Sequence, residues 1–187
     1  MNTKERFISI LGTVKRDGIA ELMQWLEDSD FYTCPASTRY HGAHESGLVE
    51  HSLNVYDQAK RLLNAYPEIE VKEESVIISA LLHDLCKVNF YVTEKRNRKN
   101  DLGQWESYDT YSIKERFCFG GHGSKSVFIT QHFIKLTNEE AVAINCHMGA
   151  NDGNTYVGNS YEQFPLAWII HVADEAATYL DESTRDN

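Results

Sequence analysis

The segment VIISALLHDLCK, residues 76–87, sets the tightest limit on what this chain can fold into. It is apolar on every face, which places a helix over residues 73–87 inside a core rather than on a surface. Yet His83 and Asp84 interrupt it. An unpaired charge buried there would cost several kcal/mol, so something must compensate. A divalent metal does so efficiently, because neutral imidazole and carboxylate are both good ligands for zinc, iron or manganese. Neighbouring residues on a helix point about 100° apart, so the pair reaches one ion only near a helix end or with the ion between them. Lys87, one turn after His83, marks such an end.

Taken alone, a His-Asp dipeptide is more often a satisfied core hydrogen bond. Here it has company. His51 lies in an amphipathic helical stretch, and Asp174 sits inside the apolar run PLAWIIHVADEAAT. Both put polar groups on faces otherwise built for burial.

The rest of the chain reads as helical with one interruption. Residues 4–28 carry apolar side chains at helical spacing, broken near Gly18, and 31–47 form an extended loop. The stripe Leu48, Val55, Ala59, Leu62 and Leu63 predicts a helix closed by Pro67. After Lys87 the period changes. Residues 88–98 and 104–113 alternate and are rich in Tyr, Val and Thr, with the polar turn KNDLG between them, which predicts a β-hairpin. Helices are then expected at 123–135 and 138–148, the second opening on Thr137-Asn138-Glu139-Glu140 as a cap. A Gly/Asn-rich loop and a last helix over 162–181 follow. The expected architecture is one all-α domain over 1–187 with an inserted hairpin, and with residues 1–33 as a helical extension packed on it.

Composition narrows the function. The formal net charge of −10 disfavours a long nucleic acid and favours a small phosphorylated partner. It also leaves carboxylates for cations to neutralise. Cys34, Cys86, Cys118 and Cys146 form no CxxC pair, so reduced, mostly buried thiols are expected. No run is long enough to span a bilayer, and MNTKERFISI lacks a signal-peptide pattern, so a cytoplasmic protein is expected. GxSxG, Walker, GxGxxG and HExxH motifs do not occur.

The pattern LVEHSLNV, ALLHDLCKV and HVADEAAT resembles the HD superfamily of metal-dependent phosphohydrolases, over about Pro35 to Leu180. The resemblance implies a helical bundle in which His51, His83, Asp84 and Asp174 bind a divalent metal. Dinuclear members show H…HD…H…H…D, and His122 in FGGHGSKS and His147 in INCHMG fill the two middle slots. That scheme implies a second ion on these histidines, bridged by Asp84. Read without the resemblance, both are loop or surface histidines, and a single-metal nucleotidase would need neither. PASTRYHGAHESGLVEH followed by HDLCK is similar to small stand-alone HD hydrolases of bacteria and phages, and to the HD domain of YhaM-type 3′–5′ exoribonucleases. The roughly thirty residues before Cys34 are too few for the strand-gripping OB-fold of those exoribonucleases, so RNA degradation is not carried over.

The implied activity is hydrolysis of a phosphoester in a nucleotide or short oligonucleotide. One or two divalent ions (manganese, iron, cobalt, nickel, zinc or magnesium) would supply hydroxide for in-line attack on phosphorus. Lys87 is placed to stabilise the growing oxygen charge as a catalytic and substrate-binding residue, or else simply answers the helix dipole. Arg39 and Lys125 are further phosphate candidates. His44 is preferred over His41 as a substrate-side histidine, while His171 is expected to support the site and His132 to lie on a helix surface. The basic run Lys95–Lys99 is expected at a solvated hairpin tip. The alternative from another class is a catalytically silent, metal-stabilised nucleotide-binding module, against which the six filled ligand positions count.

Overall fold

The computed structural model of the protein describes residues 1–114, 120–152 and 155–182. Its helices are α1 (Thr3–Leu11), α2 (Ile19–Asp28), α3 (Gly47–Ala65), α4 (Glu73–Leu82), α5 (His122–Gln131), α6 (Asn138–Asn145), α7 (Val157–Gln163) and α8 (Pro165–Ala176). Between α4 and α5 lies a hairpin of β1 (Tyr91–Lys99) and β2 (Trp105–Ile113). Short 3-10 turns cover Leu85–Lys87 and Gly149–Asp152, and a π turn covers Ala177–Asp181. The expected all-α architecture with an inserted hairpin is therefore what the chain adopts. Among the described residues, no helix is long and apolar enough to cross a membrane. Cys34, Cys86 and Cys146 are buried and form no disulfide among the described residues, while Cys118 lies outside them.

Helix α4 is central because its sequence leaves no polar face. Every residue from Ser75 to Leu82 is buried, and α1, α3, α6 and α8 all pack on it. Two apolar clusters flank it. One joins Leu48, Leu53, Ile78 and Leu82 to Phe7, Leu11, Leu22 and Leu26 of the two N-terminal helices. The other joins Val55, Ala59, Val76 and Ala80 to Leu166, Ile169, Ile170 and Ala173 of α8. The N-terminal helices thus share the core.

Local chemistry sets the ends of the elements. Asn2 with Glu5, and Thr137 with Glu140, form capping boxes that satisfy otherwise orphaned amides at the starts of α1 and α6. Gly18 opens α2 at a φ of 85°, and a Cβ there would lie 1.8 Å from the Phe133 carbonyl oxygen. Only glycine meets both demands. Beside it, Arg16 donates to both oxygens of Glu140, at 2.9 and 2.7 Å, and to Glu74 at 2.9 Å. Ser75 Oγ donates to the same Glu140 carboxylate at 2.7 Å, so one buried ion pair ties the α1–α2 connection to α4 and α6.

Several predicted boundaries shift. The helix expected over 73–87 stops at Leu82, with Asp84 at φ −109°, ψ 22° and the 3-10 turn after it. The helix expected over 162–181 is split at Phe164, because proline at the first position of α8 disfavours helical backbone in the residue before it. The hairpin pairs Tyr91 with Ile113 through to Lys99 with Trp105. Its tip is closed by the Asn100 side chain, which accepts from the amides of Leu102 and Gln104. Most of its side chains are exposed, and it meets the body at its base, where the Tyr91 hydroxyl donates to the Ala36 carbonyl at 3.2 Å.

Candidate metal centre

The break after α4 turns His83 and Asp84 toward the same space. His83 occupies the C-cap and Asp84 follows in a non-helical conformation, so the rotation that would part neighbours on a continuous helix does not apply. His51 at the start of the second turn of α3 and Asp174 near the end of α8 face the same space from either side. His147 enters just past α6. His122 begins α5, and α5 approaches α6 so closely that a Cβ on Gly123 would lie 2.3 Å from the Asn145 carbonyl oxygen.

The distances define a tight cluster. His51 Nε2 lies 3.1 Å from Asp174 Oδ1 and 3.3 Å from His83 Nε2. Asp84 Oδ2 is 3.4 Å from His83 Nε2 and 3.7 Å from His51 Nε2, and Asp84 Oδ1 is 3.5 Å from His147 Nε2. Ligand-type atoms of His51, His83 and Asp174 all lie within 4.8 Å of one another, as do those of His83, Asp84 and His147, and those of Asp84, Cys86 and His122. The expected residues come together as overlapping groups that share His83 and Asp84. His122 belongs on the Cys86 side, with Nδ1 3.4 Å from the Cys86 sulfur.

The outer contacts of the imidazoles decide what the centre can hold. His83 Nδ1 donates to the Ala80 carbonyl at 2.8 Å, and His147 Nδ1 to the Ile144 carbonyl at 2.7 Å. A carbonyl only accepts, so each Nδ1 carries the proton and a neutral ring presents a lone pair at Nε2. His51 Nδ1 likewise donates to the Glu182 carboxylate, at 3.0 Å, which leaves its Nε2 facing inward. Thus three Nε2 atoms point inward, two of them 3.3 Å apart, and among the described residues the buried His147 Nε2 has no hydrogen-bond partner. A cation must lie among them, either a proton carried on His51 Nε2 toward Asp174 and His83 or a metal ion in its place. Imidazole nitrogens with backbone or carboxylate partners behind them, set among carboxylates, form the donor set of a transition-metal site.

The protonation of the side chains follows from the same geometry. Burial opposes the charge on His51, but bonds to Asp174 and Glu182 outweigh it and push its pKa up to about 10. Burial likewise opposes charge on His147, and Asp84 raises it. Burial would raise Asp84, yet the charge of Lys87 and the contacts with His83 and His147 hold its carboxyl well below the usual range. Asp174 is lowered against burial by its bond to His51. A metal entering here competes with a proton on His51.

The cluster forms the floor of a cleft of about 720 Å³, where Asp84, His122 and Asp174 are reached from outside. Lys87 lines it too, and its ammonium donates to Asp84 Oδ2 at 2.6 Å. Phe90, Tyr91, Tyr40 and Tyr179 supply aromatic wall, the last two strongly exposed.

Other expected substrate contacts fare differently. His44 does not line the cleft. It is exposed, 3.6 Å from Glu50, and donates to the Glu45 carbonyl. His41 lines the cleft instead, its ring 4.9 Å from that of His51, with a pKa pushed down to about 4 by burial and by His51. The tight loop before α3 presents the two histidines to opposite surroundings. Arg39 is exposed and does not line the cleft, although Thr38 and Tyr40 on either side do. Lys125 stands over the Phe90 ring at 5.5 Å, beside the cleft wall. His171 donates to the His147 carbonyl at 2.7 Å, supporting the site, and His132 is exposed on α5's end. The basic run at the hairpin is largely neutralised, Lys95 by Asp109 and Arg98 by Glu106. Sequence reasoning missed Glu182 and Cys86. No motif marks either residue, although Cys86 lies only two positions after Asp84.

A helical body whose interior carries inward-facing histidines and aspartates under an open cleft offers a potential metal site with a substrate-sized entrance. The HD domain family matches residues 48–179, and the chain belongs to that family, the metal-dependent phosphohydrolases its motifs resemble. It is 30% identical over 151 residues to the dihydroneopterin 2′,3′-cyclic phosphate phosphodiesterase of Methanocaldococcus jannaschii, a match covering 79% of this chain and 53% of that protein. The chain thus spans about half the length of that relative. No solved structure gives a significant match.

Proposed function

We propose that this chain is a metal-dependent phosphodiesterase acting on a small molecule that joins a planar ring to a phosphoester, with cyclic phosphodiesters and nucleotides as the substrates to examine first. The observation that carries this is the set of inward Nε2 atoms and buried carboxylates opening into an aromatic-walled cleft beside Lys87. The relative's substrate, a pterin cyclic phosphate, has both required parts, a flat heterocycle and a strained phosphodiester.

His51, His83, Asp84 and Asp174 would hold one divalent ion, and His122 and His147, sharing Asp84, a second. When bound, such ions supply Lewis acidity that activates water and draws charge from a phosphoryl oxygen. The chain's own residues do the rest. Lys87 holds an ammonium beside Asp84, where charge builds on phosphoryl oxygens in the transition state. Phe90, Tyr91 and Tyr179 offer ring faces against which a flat heterocycle can stack, fixing its phosphate toward the floor. In the reaction an oxygen from water bonds to phosphorus, one phosphorus–oxygen ester bond breaks, and the departing alkoxide takes up a proton.

The test is a metal-by-substrate panel on purified protein. Manganese, iron, cobalt, nickel, zinc and magnesium are each paired with pterin and nucleoside 2′,3′-cyclic phosphates, mononucleotides, triphosphates and short oligonucleotides. Turnover of cyclic phosphodiesters with at least one metal is the expected result. Hydrolysis of none of them, with any metal, would overturn the reading and leave the silent binding module in its place.

A further inference from the structure

We infer that Glu182 is a positioning residue of the metal centre, holding His51 from behind in the orientation its ligand role requires; this rests on the proposed metal centre. Its carboxylate accepts from His51 Nδ1, with Oε1 and Oε2 at 3.0 and 3.2 Å, while Asp174 Oδ1 lies 3.1 Å from Nε2 of the same ring. The two nitrogens of one imidazole therefore meet two carboxylates from the same end of the chain. Asn54, one turn after His51 on α3, donates to Glu182 Oε1 at 2.9 Å and fixes the carboxylate in turn. The Glu182 side chain is only 10% exposed, so this is not a passing surface contact.

The backbone is wound to make this possible. Glu182 lies eight positions after Asp174, and in a continuous α-helix it would point roughly 80° away from it at about 100° per residue. Instead the chain widens into the π turn Ala177–Asp181, and the Glu182 amide donates to the Ala177 carbonyl, five residues back, at 3.0 Å. Wider winding advances each residue by a smaller angle and brings Glu182 round to the face that Asp174 occupies. π turns within α-helices are rare and frequently occur at functional sites. The turn has a separate anchor. Gln58, two turns along α3 from His51, donates to Asp181 at 2.8 Å.

A carboxylate behind a ligand histidine fixes the tautomer and the ring orientation and raises ligand basicity. Loss of such a partner typically lowers metal affinity by about 10–100-fold. The experiment measures Mn²⁺ and Zn²⁺ dissociation constants of the full chain by competition with a chromophoric chelator, alongside melting curves. Glu182→Ala should weaken binding by about 10–100-fold. Glu182→Gln should lie between it and the wild type, because its amide oxygen still accepts from Nδ1. Gln also carries the test if the alanine variant fails to fold. Asp181→Ala, which removes the turn's other anchor without touching His51, should leave affinity within about threefold of wild type, a change under about 1 kcal/mol. Equal losses in Asp181→Ala and Glu182→Ala would assign the effect to docking of the turn and overturn the inference. So would wild-type affinity in both Glu182 variants. A wild type that binds neither ion sinks the metal centre itself.

Discussion

Replacing Lys87 by methionine separates two tasks that the structure gives this lysine. Its ammonium is 2.6 Å from Asp84 Oδ2, and the side chains are 10% and 3% exposed. Removing one partner of a buried pair costs about 3–5 kcal/mol. The imidazoles of His51, His83 and His147, at 3.7, 3.4 and 3.5 Å from Asp84, share its charge, which favours the low end, about 3 kcal/mol. At roughly 2–4 °C per kcal/mol for a chain of this size, metal-stripped Lys87→Met should melt about 6–12 °C below wild type. A divalent ion beside Asp84 replaces the lost positive charge, so saturating Mn²⁺ should shrink the gap to within about 3 °C. Turnover should not recover in the same way, because the contact to a phosphoryl oxygen strengthens only as charge develops. The kcat on a cyclic phosphodiester should fall by about 10²-fold, with KM changing less. Calorimetric scans with and without metal, followed by steady-state kinetics, measure both. Equal melting deficits in the two states, or none in either, would refute the charge-balance argument. Normal turnover would reduce Lys87 to a helix-end lysine.

Glu140→Ala should cost about 3 kcal/mol, because it strips a fully buried carboxylate from Arg16 and Ser75, whereas Glu139→Ala next to it should cost under about 1 kcal/mol. Burial would raise the Glu140 carboxyl, but its bonds from Arg16 and Ser75 win and lower it below 4.5. Its contribution is therefore fully present above the unfolded value and lost as pH falls through the folded one. Urea titrations should show the wild-type advantage over Glu140→Ala narrowing below about pH 4.5, and a gap that stays constant into acid would contradict the assignment. For the metals, elemental analysis of Asp84→Ala should find no bound ion, while His122→Ala should keep one equivalent. A wild type with one equivalent, unchanged in His122→Ala, would leave only a mononuclear centre; two equivalents kept in His122→Ala would remove His122 from the second site, and full content in Asp84→Ala would remove Asp84 from the centre.

What the sequence determined by itself was the part written in local pattern. An apolar stretch without a polar face had to be the buried helix, and polar residues at His51, His83, Asp84 and Asp174 had to be reconciled with burial. The alternation around KNDLG gave the hairpin, and Thr137 with Glu140 gave the capped start of α6. Those readings need only periodicity, capping chemistry and the cost of burying charge. Only the tertiary structure decided the rest, because it depends on the directions in which side chains leave short irregular segments. The helix breaks at Leu82, so His83 and Asp84 share one space. The loop before α3 turns His41 into the cleft and His44 out to Glu50. Lys95 and Arg98 meet acids across the hairpin. Glu182 reaches His51 across 131 positions of sequence because a π turn rotates it there. No local pattern encodes such a contact, since its energy exists only once α3 and α8 have packed.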